Sequence, residues 1–490
     1  MAQSQPSALS NRAMPAPTKS DAPRPTACPG LARITAALDG GICRVKLPCG
    51  ELHAGQAIAL ADAAERYASG VIEATNRANL QLRGVRAGLE TALTQALVDA
   101  GFGPHGRRDS PSALGQPAQS APSALAADDV RNVMVSPAAG LDPQALVDTT
   151  PIAHEILERL RTDRRLHTLS AKFALLLDGG ERLAMLDHPH DIWLAAMPGV
   201  SSGEPIIAFG LAGCPPIAGP GGEDKHAGAP RAALAAVPLS QAVALTAALL
   251  HTFLDLAGPA GVTRMRDLLA VHSIDEVMQR LQARLAFPLL RGEPIDAWRR
   301  APADAALRLG AHPQREPGLR HAGGQPPLGR LNAPTLRGLA TLARDLGNAT
   351  LRMTPWQSVL LPGVPSHHVP DALAGFAALG LACSPDDPLA RLIACAGSAG
   401  CAKGLADTKA DALHLAGRLP AGAQVHLSGC PRSCAAAHVA PHTLLATAPG
   451  RYDLYERDAR QPGFGRCIAH HLTIDEAADH LRESAAMEPH

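Results

Sequence analysis

Four cysteines near the C-terminus are the residues whose type and spacing most directly imply chemistry. They form a C-x5-C pair and a C-x3-C pair, and 28 residues separate the two pairs. Both pairs lie in segments rich in small residues, CAGSAGC and SGCPRSC. Four thiolates can ligate the four irons of a cubane cluster, and small residues let backbone N–H groups approach its sulfides. We therefore predict a 4Fe–4S cluster on Cys395, Cys401, Cys430 and Cys434.

Two other kinds of site also use pairs of cysteines. Zinc-binding pairs usually have about two to four residues between the cysteines, and the gap in the first pair is longer. Disulfides need an oxidising compartment, whereas the first 27 residues contain no apolar signal core. The sequence therefore predicts a cytoplasmic chain with reduced thiols. The cluster is the favoured interpretation, and zinc and disulfides stay open as alternatives.

The composition indicates a multidomain chain and argues against two classes of partner. The chain has 490 residues, of which 46% are hydrophobic and 3% aromatic, so aliphatic side chains must build the cores. Its 45 basic and 45 acidic residues cancel, which gives no support for nucleic acid as a partner. The longest apolar run, AVALTAALL, predicts no membrane span because it is too short.

The elements that position these cysteines belong to an internal repeat. Residues 52–85 align without gaps onto residues 331–364, with nine identities that include Thr75 with Thr354. Each copy predicts a helix, a short strand and a second strand that ends in Gly-Val. A weaker match aligns RNVMVSPAAG at 131–140 with RLIACAGSAG at 391–400. Only the second copy carries cysteines there, so we expect the cluster only in the second half.

The repeat and the composition divide the chain into seven predicted parts. Segments rich in Pro, Gly, Ser and Ala predict a tail and linkers, and the repeats predict paired domains between them. The parts are a disordered tail (1–27), a first half-domain (28–102), a flexible linker (103–127), a first larger domain without cluster cysteines (128–290), a linker (291–330), a second half-domain (331–385) and the iron–sulfur cluster domain (386–485).

Several motifs together carry a family resemblance. They are ACPGL at 27–31, EATNRANLQLRGV at 73–85, NVMVSPAAGLDP at 132–143, LSAKF at 169–173 and the cysteine pattern. With these motifs the chain resembles the sirohaem nitrite/sulfite reductase superfamily and, within it, the precorrin-3B synthase family of aerobic cobalamin biosynthesis. The resemblance implies an α+β fold, duplicated, with two ferredoxin-like half-domains and two larger α/β sandwich domains.

The resemblance also implies which side chains bind the anionic substrate. Arg77 and Arg131 match the two anion-binding arginines, and Lys172 matches the first lysine of a K-F-K motif. Ala174 stands where the second lysine is expected, which argues against reduction of sulfite or nitrite because a cationic donor is missing. Arg83 follows in the same strand motif and is a further candidate for the carboxylates of a tetrapyrrole.

Neighbouring polar residues are candidates for catalysis. Asn79 and Gln81 alternate with leucines, so they are predicted to face the same side as Arg77 and Arg83 and to contact substrate or oxygen. A polar strand face turned to solvent is the alternative. The resemblance leaves open whether sirohaem or a non-haem iron is also bound.

The implied reaction is an oxygen-dependent hydroxylation of precorrin-3A at the meso carbon C20, with closure of a γ-lactone to give precorrin-3B. The expected partners are precorrin-3A, O2 and an electron-donor reductase, since no G-x-G-x-x-G follows a strand and NADH-derived electrons would need a separate carrier. A sirohaem-dependent nitrite or sulfite reductase and a non-catalytic tetrapyrrole carrier are the two alternatives.

Overall fold

A computed structural model describes residues 28–103, 127–130, 132–199, 203–218, 232–458, 461 and 463–487. The predicted tail at 1–27, nearly all of the 103–127 linker and Arg131 lie outside the described residues. The described chain forms four sheets of five strands each. Helices cover these sheets, so the predicted duplicated α+β architecture is confirmed.

The first half-domain carries the first copy of the repeat. Apolar residues at helical and strand spacing give the predicted helix followed by a strand pair, and the helix buries Leu60 and Ala61 completely. Its elements are β1 (Thr35–Ala37), β2 (Gly40–Val45), β3 (Glu51–His53), α1 (Ala54–Tyr67), β4 (Val71–Ala74), β5 (Leu80–Val85) and α2 (Glu90–Asp99).

The first sandwich domain is a mixed sheet with helices packed on it. Three neighbouring strands are parallel, two more are antiparallel, and the sheet order is β10-β9-β8-β7-β6. Its elements are β6 (Val133–Val135), α3 (Thr150–Thr162), β7 (Leu175–Asp178), β8 (His190–Met197), β9 (Ile206–Gly213), β10 (Ala235–Pro238), α4 (Ala242–Ala260), α5 (Met265–Leu268), α6 (Ile274–Arg284) and α7 (Glu293–Asp296).

The second half-domain begins earlier than predicted. Residues 310–324, assigned to a linker because they are rich in Gly and Pro, form a hairpin of its sheet. Its glycines serve close packing, since a Cβ on Gly323 would lie 2.0 Å from the carbonyl oxygen of Arg308. The elements are β11 (Gly310–Pro313), β12 (Leu319–Gly324), β13 (Arg330–Asn332), α8 (Ala333–Leu346), β14 (Thr350–Met353), β15 (Val359–Pro365) and α9 (Val369–Ala378).

The last domain repeats the strand order of the first sandwich. Three parallel strands are followed by two antiparallel ones in the order β16-β17-β18-β19-β20. Its elements are β16 (Leu392–Ala394), α10 (Gly397–Gly400), α11 (Thr408–Ala416), β17 (Val425–Ser428), β18 (His442–Ala448), β19 (Arg451–Glu456), β20 (Arg466–Leu472) and α12 (Ile474–Met487).

The two half-domains exchange a strand. Strand β3 of the first half pairs with β14 of the second, and β13 of the second half pairs with β4 of the first. An ion pair marks each exchange: Glu51 faces Arg352, and Glu73 faces Arg330. Helices α1 and α8 pack together over the sheets, and a single hydrophobic core extends through both halves.

The backbone of the two copies agrees in detail. Ala78 (φ +54°) and its aligned partner Gln357 (φ +65°) both adopt the left-handed conformation, which is uncommon for residues other than glycine. Just before the aligned segments, Cys49 (φ +54°) and Leu328 (φ +51°) do the same. Shared strained positions at matched sites confirm that the weak sequence repeat is a structural duplication.

The predicted short apolar run belongs to a longer apolar helix. Helix α4 and the turn before it, Leu239–Ala260, are long and apolar enough to cross a membrane by length and composition, so the prediction from AVALTAALL was wrong on length. Half of its most apolar window is buried in the fold. Leu249, Leu250 and Phe253 pack into the core of the first sandwich domain, which accounts for the composition.

Candidate metal centre and adjoining anion pocket

The four cysteines meet because two parallel strands end side by side. Cys395 follows β16, while Cys430 and Cys434 follow its parallel neighbour β17. Cys401 comes directly after the short helix α10. Since the carboxyl ends of adjacent parallel strands lie at the same sheet edge, the two cysteine loops face each other there.

The loops wrap tightly around the sulfur of Cys395. The N–H groups of Gly397 and Gly429 donate to its Sγ at 3.4 and 3.2 Å, and the Thr408 hydroxyl lies 3.4 Å from the same atom. Gly397 has φ +59°, and a Cβ there would lie 2.6 Å from the carbonyl oxygen of Ala406. N–H groups directed at sulfur in this way are the contacts that loops around iron–sulfur clusters provide.

The donor set fits the predicted cluster. All ten cysteines carry free thiols, so the disulfide alternative is not what the structure contains. Burial raises the pKa of the Cys434 thiol, and the nearby Cys430, Cys395 and Cys401 raise it further. As anions, the four sulfur ligands would repel one another, and N–H groups of their loops point inward. A bound cationic cluster would stabilise this arrangement.

Arg83 braces the cluster loop. Its guanidinium is buried and pairs with Asp39 at 2.7 Å and with Glu73 at 3.5 Å, and it donates to the carbonyl oxygen of Gly400 at 3.0 Å. Two carboxylates and a carbonyl occupy its donors, which gives Arg83 a structural role, and substrate binding by Arg83 stays a prediction. Its position beside Cys401 ties the first half-domain to the cluster domain.

Glu73 is the centre of a buried charge network at the same place. Its carboxylate pairs with Arg83, Arg330 and Lys409, and it accepts from the Gln81 amide at 2.9 Å. Lys409 also donates to the carbonyl oxygens of Leu328 and Ala394, the latter one residue before Cys395. Burial raises the pKa of Glu73, but the surrounding cations outweigh it and lower that pKa to about 2.

Acid is therefore expected to remove the stabilisation that Glu73 provides. Because the folded-state pKa lies below the ordinary value of 4.5, the contribution is complete above that value and disappears as the pH falls towards about 2. The measurement is the difference in unfolding free energy between wild type and Glu73→Gln, by urea denaturation, from pH 7 to pH 3. The difference should shrink with falling pH, and a constant difference would contradict the assignment.

Arg77 lines a buried pocket, and its role in binding an anion stays a prediction. It lies in the turn between β4 and β5 and lines a cavity together with Lys46, Asn79 and His190. Burial, followed by the charges of Arg44 and Arg264, lowers the pKa of Arg77 to about 10. Guanidinium groups gathered in a buried site attract an anionic ligand.

The sequence did not identify two arginines whose charges act on Arg77 although they do not line its cavity. Arg44 has a buried Nε without a hydrogen-bond partner among the described residues. Burial lowers the pKa of the Arg44 guanidinium, and the nearby thiol of Cys434 acts in the opposite direction. Arg264 pairs with the buried Asp191 at 3.0 Å. Both come from segments without a recognisable motif, and only the fold brings them to Arg77.

Two buried histidines lie together at this pocket, of which His190 lines the cavity. His188 and His190 have ring centroids 5.2 Å apart, and burial together with nearby positive charge lowers the pKa of each, to about 3 for His190. Both are therefore neutral at physiological pH. The Nδ1 of His190 has no hydrogen-bond partner among the described residues, so it is available to a ligand in the cavity. The dense motif DHPHD was the signal for them in the sequence.

The predicted catalytic residues have structural partners. Asn79 accepts from the N–H of Leu47 at 2.8 Å and holds the β4–β5 turn, although it also lines the cavity of Arg77. Gln81 faces the same side as Arg83, as predicted, but there it contacts Glu73. Asn79 therefore lies where it could contact a ligand, Gln81 is engaged by Glu73, and a catalytic role for either residue stays a prediction.

Lys172 lies outside the strands of the first sandwich domain, although the apolar segment AKFALLL around it is typical of a strand. It occupies an exposed turn that precedes β7. The Asn132 amide donates to the carbonyl oxygens of Ala171 and Phe173 at 2.9 and 3.2 Å and fixes this turn. Ala174, at the place of the missing second lysine, is buried and donates its N–H to Asp191 at 2.9 Å.

Comparison with known proteins gives matches over most of the chain. A family model described as the nitrite/sulfite reductase ferredoxin-like half domain matches residues 37–100 and 312–379. A second, described as the nitrite and sulphite reductase 4Fe-4S domain, matches residues 126–289. This second match covers the copy without the cysteine pairs, and the four cysteines lie in its structural repeat.

Individual relatives fall into two groups. The ferredoxin–nitrite reductase of Zea mays chloroplasts is 30% identical over 81% of this chain and 68% of its own length. A precorrin-3B synthase from Sinorhizobium sp is 29% identical over 87% of this chain and 82% of its own length. The solved structure of the Mycobacterium tuberculosis NirA protein superposes with a TM-score of 0.68 at 22% identity, over 91% of this chain and 80% of that one, and shares the fold.

Proposed function

Because the chain belongs to the nitrite and sulfite reductase family of oxidoreductases, we propose that it uses this fold as an oxygen-dependent precorrin-3B synthase. The single observation that carries the proposal is Ala174: a buried alanine stands where the resemblance implies a lysine that directs a small oxyanion. The balanced coverage of the Sinorhizobium relative, 87% of this chain and 82% of that protein, supports the same choice.

The proposed substrate is precorrin-3A, bound in the anion pocket. Its carboxylate side chains would be matched by the buried guanidinium of Arg77 and by the nearby charges of Arg44 and Arg264, the last of which also pairs with Asp191. The four cysteines would hold the 4Fe–4S cluster, which supplies single electrons when it is bound. Lys172, on an exposed turn, and Arg131, outside the described residues, stay proposed partners of the substrate periphery.

The proposed reaction balances with two electrons and two protons from a donor. One oxygen atom of O2 enters as the hydroxyl on the meso carbon C20, and the other leaves as water. An acetate carboxyl oxygen forms the new C–O bond of the γ-lactone at the ring carbon next to C20, the C=C double bond between that carbon and C20 is consumed, and the carboxyl proton is transferred to the new C20 hydroxyl. The neutral imidazole of His190 offers Nδ1 as a hydrogen-bond partner for a ligand beside the anion pocket.

The direct test is product analysis on anaerobically purified, cluster-loaded protein. We expect precorrin-3A, a reducing system and isotopically labelled O2 to give precorrin-3B with one labelled oxygen atom, and no turnover without O2. Reduction of nitrite or sulfite together with bound sirohaem would instead support the reductase alternative, which the 30% identity to the Zea mays enzyme favours. Tetrapyrrole binding without any turnover would support a carrier.

Replacement of Arg77 tests the pocket. We expect Arg77→Met to lower kcat/KM for the tetrapyrrole about 10- to 100-fold, since a charge-assisted hydrogen bond contributes about 1.5–3 kcal/mol. Iron content and unfolding should not change. The matched control is Arg86→Met, because the Arg86 guanidinium only caps carbonyl oxygens of Glu65 and Arg66 on α1. Equal losses in both variants would contradict a specific role for Arg77.

A further inference from the structure

A group of three potential metal ligands lies on β19 and β20, at the opposite edge of the sheet from the strands β16 and β17 that precede the cysteine loops. Asp453 on β19 and Cys467 and His470 on β20 bring a carboxylate oxygen, a thiol sulfur and a ring nitrogen within 4.8 Å of one another. The sulfur lies 3.5 Å from His470 Nδ1, and that nitrogen lies 3.2 Å from Asp453 Oδ2. None of the three takes part in the centre or the pocket described above.

An irregular backbone is what brings the group together. Residues three apart on a regular strand point to opposite faces of the sheet, so Cys467 and His470 should not meet. The pairing of β19 with β20 shifts register here, so that Asp453 alone faces both His470 and His471. His471 adopts φ +55°, a conformation that residues other than glycine rarely take. The bulge thus turns His470 towards the thiol and the carboxylate.

We propose that Asp453, Cys467 and His470 bind one zinc ion that fastens the edge strand β20 to β19. Tetrahedral zinc with a Zn–S distance of about 2.3 Å and Zn–N and Zn–O distances of about 2.0 Å holds sulfur and nitrogen about 3.5 Å apart. The same geometry holds nitrogen and oxygen about 3.3 Å apart. The observed separations already match both values, so the ion can replace the protons that these groups share without a large movement.

Further features of these residues support a metal site. The other oxygen of Asp453 accepts the backbone N–H of His471 at 2.9 Å, which orients the carboxylate as hydrogen bonds around metal sites commonly do. The His470 side chain is exposed, so an ion and a water as fourth ligand have access from solvent. Because β20 is the outer strand of its sheet, it has a neighbour on one side only, and a tie to β19 would hold it in place.

Zinc binding to untagged, cluster-loaded protein tests the proposal. After equilibrium dialysis against zinc, elemental analysis should give about one zinc per chain, and the iron content should not change. X-ray absorption at the zinc edge should show one sulfur and otherwise nitrogen or oxygen neighbours. Hydrogen exchange in Arg466–Leu472 should slow when zinc is added. A shell of four sulfurs, or no stoichiometric zinc, would overturn the proposal.

Paired variants locate the ion. Cys467→Ser and His470→Asn should each weaken zinc binding at least about 100-fold, because each removes one of three protein ligands. The controls are His471→Asn, a neighbouring histidine whose side chain is not a ligand, and Cys383→Ser, a half-buried thiol elsewhere. Both controls should bind zinc as wild type does. Undiminished binding by Cys467→Ser, or equal loss in the controls, would exclude this site whatever substrate the enzyme uses.

Discussion

Cys430→Ser is expected to release most of the iron and to abolish turnover. A serine hydroxyl is a poor ligand for an iron that needs a thiolate, and Cys430 shares its loop with Cys434, so the loss of one ligand disturbs half of the donor set. Elemental iron and sulfide, the visible absorption of the cluster and the rate with O2 should fall together, the rate by at least about 1,000-fold, to the limit of detection.

The control for this variant is Cys383→Ser. Cys383 is half-buried and its thiol donates only to the carbonyl oxygen of Leu381, so its replacement should leave iron, colour and rate unchanged. A Cys430→Ser protein that keeps its full iron content would show that another residue ligates the cluster. Loss of iron with full activity would separate the cluster from the reaction and contradict the proposed electron path.

Glu73→Gln is expected to lower the free energy of unfolding by about 3–5 kcal/mol. The amide keeps the shape of the side chain but leaves Arg83, Arg330 and Lys409 without their shared anion, and Arg83 and Lys409 are buried. Breaking a buried ion pair by neutralising one partner is costly because the remaining charges lose their compensation. Urea denaturation at neutral pH, at equal iron content, measures the change.

The chain contains its own matched control for this experiment. Glu51 occupies the corresponding exchanged-strand pair with Arg352, but Glu51 is more exposed and Arg352 also donates to the carbonyl oxygens of Pro137 and Ala139. Glu51→Gln should therefore cost only about 1 kcal/mol or less, as a partly exposed pair does. Equal destabilisation by the two variants would mean that the buried network around Glu73 contributes no more to the free energy of unfolding than the partly exposed pair does.

Much of the fold was predictable because its signals are local. Apolar spacing predicts the helix and the strand pair of each repeat. The parallel strands that precede the cysteines lie within short, mostly apolar segments, RLIA and QVHLS. The hairpin at 310–324 was missed because its glycines indicate a loop, whereas Gly323 and Gly324 are there to let backbones and side chains approach closely. Local composition does not distinguish these two uses of glycine.

The site was predictable only where spacing alone carries the chemistry. The cysteine pairs are close in sequence, so their grouping could be inferred. The structural role of Arg83 was not predicted because its ion partner Asp39 and its carbonyl acceptor Gly400 lie 44 and 317 positions away along the chain. The positive charge around Arg77 likewise depends on Arg44 and Arg264, which only the assembled sheets bring together.

The exchanged strands also decide which half can associate with which. Residues 51 and 330 are aligned positions of the repeat, as are 73 and 352, and both positions are acidic in the first half and basic in the second. Two copies of the first half would place Glu51 against Glu73, and two copies of the second would place Arg330 against Arg352. Like charges directly opposite one another on paired strands disfavour such self-association. Along the exchanged strands each half is therefore complementary in charge to the other half and not to a second copy of itself.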